Sequence, residues 1–130
     1  MKTKLRNNGS VMLMAVFATA LLSVLVMGML QLNTEEIQLV RNQISATEAL
    51  ATAEAGLNNA LSELRADRNW NAGFTDKVFN ASSYTVDITG STITSTGTSA
   101  QGFTGRIEAD ITIAGTSPYM IRIDHFRINE

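Results

Sequence analysis

Few side chains in this chain could carry chemistry. There is one histidine, His125, and no cysteine. Disulfides and thiolate-ligated zinc are therefore excluded, and a His-based catalytic cluster has a single member. Asp87, Glu108, Asp110 and Asp124 fall on strand-like segments and could offer oxygen atoms to calcium. No stretch has the loop spacing of an EF-hand. A Gly-rich phosphate loop and a nucleophile motif are also absent from the sequence. The expectation is a protein that is not an enzyme, with no cofactor and no metal. The bond that invites chemistry lies in the backbone, between Gly9 and Ser10. Asn7-Asn8-Gly9-Ser10 closes a short basic leader and opens directly onto an apolar run. Gly at that junction gives a flexible, unhindered peptide bond at a membrane face, open to a membrane-embedded peptidase.

That bond needs a membrane to hold it. Lys2, Lys4 and Arg6 put three positive charges and no acid into the first nine residues. Ser10 to Leu30 then runs 21 residues without a charge. As a helix it would be about 31 Å long, the thickness of a hydrocarbon core. A helix satisfies its own backbone there. Basic residues before the span and Glu35-Glu36 after it place the amino terminus on the cytoplasmic side. Two other readings of the span remain. One is a cleaved secretory signal ending at Ala18-Thr19-Ala20. The other is a plain single-pass anchor.

The helical pattern continues past the span. Between Gln31 and Ala66 there is no Pro and a single Gly, among good helix formers. At 100° per residue, Ala46, Ala49, Leu50, Ala53, Gly56, Leu57, Ala60, Leu61 and Leu64 share one arc. Thr47, Glu48, Thr52, Asn58, Asn59 and Ser62 lie outside it. Small residues on that arc would let another element approach the helix backbone. Ile37, Val40 and Ile44 form a second stripe roughly opposite, continued weakly by Ala51 and Ala55. Two offset stripes predict two partners: neighbouring helices near the membrane, and the chain's own domain further out. Asp67-Arg68-Asn69 and Asn71-Ala72-Gly73 are stop signals, so residues 67–80 read as a connector.

Beyond Gly73 the apolar period is two. Tyr84, Val86 and Ile88 mark one strand, and Ile107, Ala109, Ile111 and Ile113 another. Tyr119, Ile121 and Ile123 mark a third, and Thr92 to Thr96 around Ile93 a weaker fourth. Gly90, the stretch Gly102–Gly105 and Ala114-Gly115-Thr116-Ser117-Pro118 supply turns. Short connections favour an antiparallel meander, and its apolar face should pack on the arc at residues 46–64. Residues 81–105 hold twelve Ser or Thr and four Gly, which reads as a polar edge strand with loops. Trp70 and Phe74 read as a lid over the end of the core, and His125 as a surface residue beyond the strand at 119–123. Arg106, Arg122 and Arg127 could contact DNA, but residues 31–130 carry seven basic and twelve acidic side chains. No nucleic-acid partner is expected.

A basic leader ending in Gly9, an apolar helix from Ser10, an amphipathic continuation and a small antiparallel sheet together resemble the type IV pilin and pseudopilin family. The segment ATEALATAEAGLNNALSEL, Ala46 to Leu64, is similar to the Ala-Glu-Ala-Gly segment of PilX-type minor pilins. The resemblance covers roughly residues 5–66. It implies an α+β, pilin-like fold: a long amino-terminal helix whose first half spans the membrane, packed on a small antiparallel sheet. It implies removal of residues 1–9 by a prepilin peptidase, with cleavage between Gly9 and Ser10 and methylation of the new terminus. Residues 10–30 would form the transmembrane or filament-core helix and 31–66 its amphipathic continuation. Residues 81–130 would form the sheet head. Other pilin or pseudopilin subunits and inner-membrane lipid would be the partners, in a pilus or in a type II secretion pseudopilus.

Three departures stand out. Ser10 replaces the usual Phe or Met, the span lacks Pro, and Met14 occupies the fifth mature position, where major pilins carry Glu. In the family that Glu pairs with the terminal amine of a neighbour. An unpaired carboxylate within a bilayer costs about 2.5–3.5 kcal/mol on insertion scales, so it is kept for that contact. A subunit that starts a fibre has no predecessor to neutralise, and the type II secretion tip pseudopilin also lacks the Glu. The resemblance therefore implies a minor subunit that primes or caps a filament, with a neighbour-facing surface at Met14, Ile37, Val40 and Ile44. The alternative is a membrane-anchored extracytoplasmic binding domain that does not polymerise.

Overall fold

A computed structural model describes residues 4–129, with side chains from Gly9 onward. The leader residues Met1 to Thr3, including the basic Lys2, and the final Glu130 lie outside the described residues. The chain falls into two units, Met1–Val40 and Arg41–Glu130.

One α-helix, α1, spans Lys4–Ala66. In the first unit it is bare. Its large apolar side chains from Val11 to Val40 are more than half exposed, as a segment with no cover of its own must be. In the second unit α1 carries the spine of a folded head. It ends at Ala66, close to the predicted stop. Asp67 N–H still reaches the Glu63 carbonyl at 2.8 Å, and the Asp67 side chain then caps Asn69 N–H at 2.9 Å. That side-chain bond offers the backbone a turn in place of another helical step.

The sheet has five antiparallel strands in sequence order: β1 Phe74–Phe79, β2 Ser82–Thr89, β3 Thr92–Thr98, β4 Thr104–Ala114 and β5 Met120–Asn129. The meander expected from the short turns is present. Several boundaries differ from the sequence reading. Residues 67–80 are more than a connector, because β1 pairs Phe74 with Val86 and Phe79 with Ser82. Its apolar alternation is hidden by an irregularity between Phe74 and Lys77, where Asp76 takes a left-handed φ of 43°. β5 runs on to Asn129, so His125 lies within a strand rather than beyond it, opposite Asp110. The register slips between Asp110 and Ile111, so the apolar period shifts from Ile121 and Ile123 to Phe126 and Ile128. A bulge changes which residues face inward, which breaks a simple alternation count.

β2 and β3 are interior strands, not a polar edge with loops. The hydroxyl-rich sequence hid this because Ser82, Ser95 and Ser99 are themselves buried. The core joins Ala53, Leu57, Ala60 and Leu64 of α1 to Tyr84, Val86, Ile93, Ile107, Ala109 and Ile111 of the sheet. Trp70 and Phe74 pack against its end, with ring centroids 5.1 Å apart, and Phe74 meets Tyr84 edge-on at 5.9 Å.

Candidate functional site

The candidate site is the surface of α1, which changes character along its length. At the leader junction, Gly9 and Ser10 lie inside the helix and are exposed. A flexible bond was expected there. The structure instead runs α1 continuously through the junction, despite the poor helix formers Asn7, Asn8 and Gly9, so the backbone there is hydrogen-bonded within the helix. Among the described residues, nothing lies within 4 Å of the position a Cβ would take at Gly9.

From Ser10 to Leu30 the surface is apolar all round, and α1 contains a stretch long and apolar enough to cross a membrane. Two of the polar side chains on it, Thr19 and Ser23, spend their hydrogen bonds locally. Thr19 Oγ1 donates to the Val16 carbonyl at 2.9 Å and Ser23 Oγ to the Thr19 carbonyl at 2.8 Å. Neither hydroxyl needs water, so both are compatible with a hydrocarbon surrounding. Met14 is 72% exposed. It adds neither charge nor hydrogen bond to this surface, so the contact a carboxylate would make has no counterpart here. Further along, Ile37, Val40 and Ile44 are also open to solvent at 54%, 54% and 61%. The residues of the predicted neighbour face are thus all exposed among the described residues.

The arc at residues 46–64 is the reverse. Ala49, Ala53 and Ala60 are fully buried, Leu57 and Leu64 nearly so, Gly56 is buried, and Leu61 is half-buried against the core. The structure brings all seven predicted packing residues onto the sheet. Small residues are needed because the approach is close. A Cβ on Gly56 would sit 2.5 Å from Ser95 Oγ and 2.8 Å from the Tyr84 ring.

Sequence reasoning missed the matching half of this contact. Gly97 and Gly105 face each other across β3 and β4. A Cβ on Gly97 would overlap the Ala49 carbonyl oxygen and the Ala53 nitrogen, and one on Gly105 would stand 2.9 Å from the Leu50 nitrogen. The sequence places Gly105 in a turn stretch, whereas it lies inside β4. Glycine inside a strand more often marks a close backbone approach, and that signal was present. Thr52, placed outside the arc, is buried because its hydroxyl donates to the Glu48 carbonyl at 2.8 Å and the sheet comes in beside it. Ser95 Oγ donates to the Ala53 carbonyl at 2.7 Å, Ser82 Oγ to Glu48 at 2.6 Å, and Asn59 Nδ2 to the Tyr84 hydroxyl at 2.5 Å.

The outer face of the sheet is a set of neutralised pairs. Arg106 meets Glu108 at 2.6 Å, Arg122 meets Asp124 at 2.6 Å, and Arg127 meets Asp110 at 2.8 Å. The Thr92 hydroxyl, donating at 2.6 Å, holds the Asp110 carboxyl below the usual carboxylate range; desolvation opposes it, and the Arg127 guanidinium and His125 act in the same sense as Thr92. Thr112 and then Arg122 lower Asp124 in the same way. The three arginines that could have met DNA are therefore each engaged by an acid. Among the described residues, no three His, Asp or Glu side chains are placed to hold a metal ion.

No protein family, curated protein or solved structure was found to match this chain.

Proposed function

We propose that this chain is a minor pilin or pseudopilin-like structural subunit. It inserts in the inner membrane with its amino terminus in the cytoplasm, is cleaved after Gly9 by a prepilin peptidase, and primes or caps a type IV pilus-type filament. The observation that carries this reading is the change along α1. Among the described residues, the apolar side chains from Val11 to Ile44 are exposed, whereas the arc from Ala49 to Leu64 is covered by the chain's own sheet. A helix built this way offers its first part to lipid or to other helices and keeps its second part for a head. In lipid, helices associate through shape and small residues, which Ala15, Ala18, Ala20 and Gly28 provide.

Met14 offers no carboxylate for a predecessor's amine, which supports a place at the start of a fibre over one in its shaft. The same residue also favours the second reading, a single-pass anchor carrying a binding domain. Intact mass of the membrane-extracted protein separates the two. The filament reading predicts loss of residues 1–9, with or without one methyl group, and recovery in sheared filament fractions at a low ratio to a main subunit. An uncut chain that stays in the membrane fraction would replace it with the anchor.

A further inference from the structure

Where α1 ends, the head opens into a cavity of about 540 Å³ between the segment after the helix, the β2–β3 turn and β4. That volume lies within the range of small-ligand sites. Its floor is aliphatic: Leu64, Ile88, Ile111 and Ile113. Arg68, Asn69, Asn71 and Ser91 stand at its rim. Among the described residues, none of these four side chains hydrogen-bonds to another protein group, and Arg68 has no ion-pair partner. Among the described residues no carboxylate lines the cavity, and Arg68 is the one formally charged side chain there. Asp67, the adjacent acid, caps Asn69 N–H instead. The carbonyl end of α1 would oppose an anion, but the Glu63 and Arg65 carbonyls already accept from Asp67 N–H and Tyr119 N–H.

We propose that this cavity binds an apolar group bearing a carboxylate, the chemistry of a peptide's carboxy-terminal residue or of a free branched-chain acid. The aliphatic floor takes the apolar group, Arg68 takes the carboxylate through charge-assisted hydrogen bonds, and the Asn69 and Asn71 amides are free to bond a peptide backbone. The proposal is independent of the filament reading.

Trp70, the only tryptophan in the chain, lines the same cavity and serves as a built-in reporter. The test is intrinsic fluorescence of the full chain in nanodiscs, titrated with N-acetyl-Ala-Ala-Leu, with the same peptide as its carboxy-terminal amide, and with 4-methylpentanoate. A saturable change is expected with the free-acid peptide, and binding about tenfold weaker or worse with the amide. Arg68→Gln should weaken the acid by a similar factor and leave the amide unchanged; Arg68 is exposed, so an unchanged circular dichroism spectrum shows that the fold survives. Binding of 4-methylpentanoate as tight as the peptide identifies a free acid as the ligand, and weaker binding identifies a peptide terminus. No saturable change with any of the three, or equal affinity for acid and amide, would overturn the proposal.

Discussion

Residues 10–44 and 45–64 of α1 are both Pro-free and rich in good helix formers, yet the chain treats them oppositely. The first stretch leaves Val11, Met14, Leu22 and Val40 more than half exposed, while the second hides Ala49, Ala53, Leu57, Ala60 and Leu64 almost completely. Helix propensity does not separate them. The pattern around the helix does. From Ser10 to Leu30 apolar side chains on every side cannot be covered by a single sheet, and Ile37, Val40 and Ile44 lie roughly opposite the one arc that the sheet does cover. A contiguous exposed apolar surface on a folded chain marks an interaction surface; under the proposed function its partners are lipid and neighbouring helices.

Within the second stretch there is a further contrast. Around Leu57 to Leu64 the contact is made by aliphatic bulk. Around Ala49 to Gly56 it is made by glycine, serine and threonine, through backbone proximity and hydrogen bonds. Substitutions at the two ends should fail for different reasons. The largest effect is expected from Gly97→Val, whose side chain would overlap the α1 backbone at Ala49 and Ala53 rather than a movable side chain. A loss of at least about 3 kcal/mol is expected, read as a lowered or non-cooperative thermal transition in the β-sheet dichroism signal. Leu57→Ala should cost about 3 kcal/mol by leaving a cavity, whereas Val40→Ala should leave head stability within about 0.5 kcal/mol. If the two matched, residues 37–44 would have to be covered within the chain after all. Ser95→Ala removes the bond to the Ala53 carbonyl and should cost about 1 kcal/mol, measured by urea unfolding followed through Trp70.

The smallest effect is expected on the outer face. Asp110 and Asp124 have folded-state pKa values below their ordinary value of 3.8. Their contribution is therefore fully present above about pH 4. It is lost as pH falls from there through the folded-state values, because the unfolded chain takes up protons first. Asp110→Asn and Asp124→Asn should flatten that acid-side decline in melting temperature while changing little at neutral pH. An unchanged acid slope in both variants would remove these pairs from the account.

How legible this was in the sequence depended on periodicity. The charge-free run could be read from its length and lack of charge, and the arc at 46–64 because a single helical period governs it. Tyr84, Val86 and Ile88 could be read because β2 alternates without interruption. β1 and the second half of β5 could not, since an irregularity beside Asp76 and a bulge opposite Asp110 and Ile111 break the alternation. Gly97 and Gly105 were visible as residues but not as a pair, because their meaning depends on a cross-strand register. The cavity beside Trp70 was not legible, because α1, β2 and β4 bring its walls together from distant parts of the chain.

The central claim is that residues 10–44 are covered by something other than this chain. Alkaline carbonate extraction of membranes from cells making the protein tests it most directly. The account predicts that the chain stays in the pellet and is released by detergent. Recovery as a monomer in the carbonate supernatant, with no detergent present, would contradict it.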